Sequence, residues 1–189
     1  MTLDIQVDHF VRGRSETTRI TPGDRGAAHD YFARCRPYHE AAHAVVALAL
    51  GLAVRYVTLE ADEAAGATGD PGAAGCAALE AFRGEAGVLA AVAFAGIASD
   101  SSFGCPGATL EGDPTAATAA AATYAAHDFE AFRRLLPHAG AQRQAAMLAH
   151  DILRARRADV IKVGRALLER GRLTERARLS GDEIRTLLS

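Results

Sequence analysis

The residues with the most chemistry to offer stand together in the string YHEAAHAVVALAL (Tyr38 to Leu50), where His39 and His43 are four apart and Glu40 lies between them. On a helix a four-residue step brings the side chain back to within about 40° of its starting direction, one turn further along. Two imidazoles so placed can meet one ion at about 2.0–2.1 Å, and H-E-x-x-H on a helix is read as a zinc site. Zinc lowers the pKa of a bound water toward about 7, and a neighbouring carboxylate can take the water's proton as it attacks a carbonyl. The pattern therefore predicts amide hydrolysis, with His39 and His43 as metal ligands and Glu40 as general base.

A catalytic zinc site needs a third protein ligand. The extended form H-E-x-x-H-x-x-G-x-x-H fails here, because Val46 and Ala49 occupy the later Gly and His positions. Glu63, Glu80, Glu85, Asp100, Glu111, Asp113 and His127 are candidates, and spacing does not choose among them. Cys35 would line up with both histidines only if the helix ran back through Pro37, which disfavours it. His138 and His150 read as surface or packing residues. Ser101 and Ser102 have no adjacent histidine and base, so serine-nucleophile chemistry has little support.

The elements that must position these residues follow from local signals. Pro37 suits a first helical turn and Gly51 suits the residue just past a helix end, so a helix is expected from about Pro37 to Leu50. Ala53 to Glu60 alternates and is rich in β-branched and aromatic residues, which predicts a strand. That strand is read either as an ordinary sheet member or as an edge strand able to pair with an extended peptide. Glycines and Pro71 between Ala64 and Gly75 predict a loop around a further short strand. Helices are expected from about Gly84 to Ser99 and from Pro114 to about Leu136, with the Ser101 to Asp113 stretch irregular between them. Two more helices follow Pro137, and Ser180 with Glu183 forms an S-x-x-E capping box before a short terminal helix. The expected fold is mainly α with a small β-sheet, in one domain over residues 28–189. Residues 1–27 are an irregular or partly strand-like lead-in.

Composition bounds the function. The 189 residues are 49% hydrophobic, enough for one sizeable core, and the formal charge of −2 lacks the basic excess that nucleic-acid binding exploits. The cluster Arg154, Arg156 and Arg157 reads as a solvated helix face. Cys35, Cys76 and Cys105 are odd in number and widely spaced, which fits reduced thiols in a cytoplasmic protein. The most apolar runs, Ala41 to Val54 and Gly87 to Ala98, are shorter than the roughly 20 residues of a membrane span, so none is expected. The opening residues do not read as a secretory signal.

The string YHEAAHAVVALALGLAVRYVTLE resembles the start of the peptidase domain of the FtsH-type ATP-dependent zinc metalloproteases. Downstream, AFAGIASDSSFG (Ala93 to Gly104) and GDPTAAT (Gly112 to Thr118) are similar to two further segments of that domain, and VGRALLERGRL and GDEIRTLL to its closing helices. The resemblance implies a compact helical metallopeptidase in which Asp113, matching the family's aspartate, is the third zinc ligand. Alternatively, Asp113 before Pro114 is a helix cap alone. Departures are Ala42 for the motif's usual glycine, Ile97 for arginine, and residues 174 to 179, which look inserted. No G-x-x-x-x-G-K-[ST] phosphate loop occurs in the sequence. Such a domain would act on peptides or unfolded segments, with a separate ATPase or a homo-oligomer as the partners implied. The contrasting reading is a catalytically silent binding or regulatory module on the same fold.

Overall fold

In a computed structural model of the chain, residues 5–11, 14–20, 36–61, 74–79, 85–102, 125–173 and 177–189 are described. Strands β1 (Ile5–Val11) and β2 (Arg14–Ile20) form an antiparallel hairpin within the stretch read as a lead-in. Helix α1 (Arg36–Ala49) carries the histidine motif. It ends where glycine is required. Gly51 has φ 77°, Leu52 N–H donates to Ala47 O at 2.9 Å and Gly51 N–H to Leu48 O at 3.0 Å, the paired bonds of a Schellman stop. The reversal feeds directly into β3 (Val54–Ala61), which pairs antiparallel with β4 (Ala74–Leu79) and β5 (Arg178–Ser180) in the order β4-β3-β5.

That order corrects the edge-strand reading of Ala53 to Glu60. With β4 on one side and β5 on the other, the central part of β3 has its hydrogen-bonding directions taken, and Leu59 N–H is used as well, by Ala177 O at 2.9 Å. Edge pairing of a peptide to this strand is thereby excluded over Tyr56 to Thr58. The three-residue β5 begins at the end of the 174 to 179 stretch and runs one residue past it. Besides pairing Tyr56 with Ser180 and Thr58 with Arg178, it lays the Arg178 guanidinium 3.5 Å from the Tyr56 ring centroid.

The remaining helices are α2 (Ala86–Ser102), α3 (Ala126–Leu135), α4 (Ala139–Ala155), α5 (Arg157–Leu173) and α6 (Gly181–Leu188). The expected fold, mainly α with a small sheet, is the one observed. Helix α2 is the hub, packed on α1, α3 and α4, while α5 covers another side of α1. Its core residues explain how. Ala90, Ala91, Ala95 and Ala98 of α2 and Ala41, Ala42, Ala44 and Ala47 of α1 are all fully buried, and small side chains let helix backbones approach closely. Larger residues close the periphery: Phe94 meets Phe132 with ring centroids 4.9 Å apart, and Val160, Val163 and Leu167 of α5 lie against the interior. The helix expected from Pro114 is seen from Ala126, residues 114–124 lying outside the described ones. Among the described residues no helix is long and apolar enough to cross a membrane.

The chain closes with the expected capping box. Glu183 N–H donates to Ser180 Oγ at 3.3 Å, and Ser180 N–H donates to Glu183 Oε2 at 2.8 Å. Arg170 of α5 adds a 2.5 Å bond to the other carboxylate oxygen, tying α6 back to the bundle. The Ser180 backbone and then Arg170 hold the Glu183 carboxyl below its ordinary value of 4.5. A lowered carboxyl pKa contributes stability above the unfolded-state value and loses it as pH falls through the folded one. Ser180→Ala should lower stability by about 0.5–2 kcal/mol. Glu183→Gln should be less stable than wild type at pH 7 and approach it as acid protonates Glu183; denaturant melts at pH 7 and at a series of falling pH values check both.

Candidate metal centre

Helix α1 buries the face that holds the motif: His39, Glu40 and His43 are 4%, 5% and 7% exposed. Buried polar groups need partners, and α2 supplies them from a single stripe of its surface. His43 Nδ1–H donates to the Val92 carbonyl at 2.7 Å, and two turns further along α2 the Asp100 carboxylate accepts from His39 Nδ1–H at 3.0 Å. Both acceptors lack protons, so in each ring the proton of a neutral imidazole is drawn to Nδ1 and Nε2 is left as the donor of a lone pair. Ser99 Oγ–H, next to Asp100, donates to the Tyr38 carbonyl at 3.2 Å and helps hold the first turn of α1 on α2.

The two Nε2 atoms face one carboxylate. Asp128 of α3 places Oδ2 2.8 Å from His39 Nε2 and 3.4 Å from His43 Nε2. Ligand atoms of His39, His43 and Asp128 all lie within 4.8 Å of one another. Oxygen and nitrogen ligands at about 2.0–2.1 Å from a tetrahedral ion stand about 3.3 Å apart, and the two Asp128 distances of 2.8 and 3.4 Å lie on either side of that value. Asp128 is delivered by packing. Phe132, one turn further along α3, is fully buried against Phe94 of α2, which turns the 128/132 stripe toward the histidines. The Asp128 side chain keeps 28% of its surface exposed, so the cluster opens to solvent on the α3 side.

Without a cation the cluster must hold protons in its place. Burial alone would lower the His39 pKa, but Asp100 and then Asp128 raise it well above 6.5. Burial likewise acts downward on His43, and Asp128 outweighs it. For Asp128 burial acts upward, yet His43 and His39 depress its carboxyl well below the usual carboxylate range. A positive charge among these groups is therefore strongly favoured, and a divalent ion supplies it with deprotonated ligands. Glu40 is shifted differently. Burial raises its carboxyl pKa against the opposing pull of His39 and His43, while Arg36 Nε stands 3.6 Å from Glu40 Oε1.

The structure thus brings His39 and His43 together with Asp128, a residue absent from the candidates that the spacing offers, and buries Glu40 on the same helix as the two histidines. Asp113, the ligand implied by resemblance, lies outside the described residues, as do Glu63, Glu80, Glu111 and Cys35. Asp100 is beside His39 but on its Nδ1 side, in a supporting role, and Glu85 is exposed at the start of α2. His127, the reserve candidate, immediately precedes Asp128 on α3. A signal for Asp128 existed in the spacing: an acid four residues before Phe132, in a helix whose apolar stripe includes Phe132, points its carboxylate at the interior. No protein-family model matches the chain, and no curated protein matches it significantly.

Asp128→Ala should abolish tight metal binding if Asp128 is a ligand. Asp100→Asn, which leaves all three inward-facing atoms in place, should weaken it by about 10–100-fold. Isothermal titration with zinc measures both, and Asp113→Ala in the same series shows whether that residue contributes: retained affinity in Asp113→Ala beside lost affinity in Asp128→Ala assigns the third bond to Asp128.

Proposed function

We propose that the protein is a zinc-dependent endopeptidase that cleaves peptides or unfolded protein segments. The observation that carries the reading is the convergence of His39 Nε2, His43 Nε2 and Asp128 Oδ2 on one point, with Glu40 buried on the same helix. Two imidazoles and a carboxylate are a hydrolytic donor set that leaves a fourth position open. Zinc bound there would supply Lewis acidity toward water and a substrate carbonyl.

The chain's own residues then divide the work. Asp100 and Val92 O fix the rotation of the two rings, so that both nitrogens keep their direction when protons leave. Asp128 offsets charge from the solvent-facing side. Glu40 follows His39 directly on α1 and is not one of the three converging ligands, which suits a base that takes a proton from the attacking water and returns it to the leaving amine. The resemblance of Tyr38 to Glu60 to the FtsH-type peptidase domains supports the same assignment of His39, Glu40 and His43 and keeps Asp113 as the alternative third ligand. A separate unfoldase would supply folded substrates. The three dispersed cysteines suit a reducing, cytoplasmic setting.

Two measurements on purified protein test the reading. Wild type should hold about one zinc per chain and cleave an unfolded protein such as casein, with both lost in His43→Ala. Glu40→Gln should keep zinc and fold but lose at least about 10²–10⁴ in rate. Equal cleavage by Glu40→Gln would remove Glu40 from the chemistry. Zinc-loaded wild type that cleaves nothing would instead favour a silent binding module.

A further inference from the structure

One face of α2 runs Val92, Gly96, Asp100, four residues apart and so stacked along the helix. The outer two members hold the Nδ1 atoms of His43 and His39. Gly96, the middle member, lies opposite the Nε2 atoms. A Cβ built on Gly96 would stand 2.6 Å from His43 Nε2 and closer still to His39 Nε2 and Cε1. Real Cβ atoms essentially never come within 3.0 Å of such neighbours. The point where a methyl group would sit is thus at near-bonding distance from both nitrogens whose lone pairs face the cluster.

Glycine is a poor choice for the interior of a helix, costing about 0.5–1 kcal/mol relative to alanine. In a helix otherwise rich in alanine, its presence at this position needs a reason other than helix formation. Backbone conformation is not that reason, since Gly96 is in an ordinary helical segment without positive φ. What the missing side chain does is leave space beside the two imidazoles.

We propose that Gly96 is a positioning residue for the metal: its lack of a side chain keeps open the space into which His39 and His43 direct their Nε2 atoms. The inference rests on the metal reading above and adds a requirement that none of the ligands themselves carries. It also separates two effects of helix packing. Gly164 of α5 approaches α1 from another side, where a Cβ would strike the Tyr38 ring, with no Nε2 atom among its near neighbours. Gly87, at the start of α2, has open space around the same position.

The test compares zinc affinity and far-UV circular dichroism in wild type, Gly96→Ala, Gly164→Ala and Gly87→Ala. Gly96→Ala should keep helical content and bind zinc at least about 100-fold more weakly, beyond the effect of losing an outer-shell partner alone. Gly164→Ala should lose thermal stability with zinc affinity within a few-fold of wild type, and Gly87→Ala should change neither. Zinc binding by Gly96→Ala equal to that of a zinc-binding wild type overturns the proposal, whereas a wild type that binds no zinc overturns the metal reading and this inference together. Should Gly96→Ala not fold, zinc-loaded wild type decides by NMR: contacts from the Gly96 Hα protons to the Hε1 protons of His39 and His43 are expected, and their absence rejects the placement.

Discussion

The fixing of two imidazole rings by their Nδ1 atoms is the constraint on which the centre depends. A histidine free to rotate offers either nitrogen in many directions, and its ring is a weak guide to any site. Here the Asp100 carboxylate and the Val92 carbonyl, both from α2, claim one nitrogen of each ring. The other nitrogens are thereby committed to the space beside Asp128. The helical four-residue step supplies only the alignment of His39 over His43; the tertiary contact with α2 turns alignment into convergence.

That contact in turn depends on small side chains. The α1–α2 interface is built from alanines that are fully buried, so the Val92 carbonyl is within reach of an imidazole whose ring spans only a few ångströms. The arrangement also accounts for the burial of several polar groups in the molecule's interior. His39, Glu40, His43, Ser99 and Asp100 are each at most 7% exposed, a concentration of charge that an apolar bundle tolerates only when the groups satisfy one another. Larger residues do the complementary task at a distance: the Phe94–Phe132 contact sets the position of α3, and through it that of Asp128.

The parts of this design that were legible in the sequence are those written in local chemistry. The helix that carries His39 and His43, the Gly51 stop, the apolar run of α2 and the Ser180 capping box each involve residues within a few positions of one another, and each is observed where local signals place it. What was not legible is non-local. Asp128 is 85 positions beyond His43, and its place beside the histidines comes from a helix packed by Phe132. Asp100 was legible as a candidate ligand, but only packing shows that it faces Nδ1 and not the converging nitrogens. Strand β5 has three residues, too few for alternation to register, and its pairing with β3 is what makes β3 a central strand. Resemblance pointed to Asp113, in a stretch outside the described residues, so the two aspartates remain distinct assignments with different consequences for metal affinity.

X-ray absorption spectroscopy of the zinc-loaded protein addresses the central claim most directly, because it reports which atoms surround the ion. The account predicts nitrogen and oxygen neighbours only, at about 2.0–2.1 Å, with the multiple-scattering signature of two imidazoles. A spectrum showing sulfur at about 2.3 Å, or no imidazole scattering, would place the ion elsewhere in the chain and contradict it.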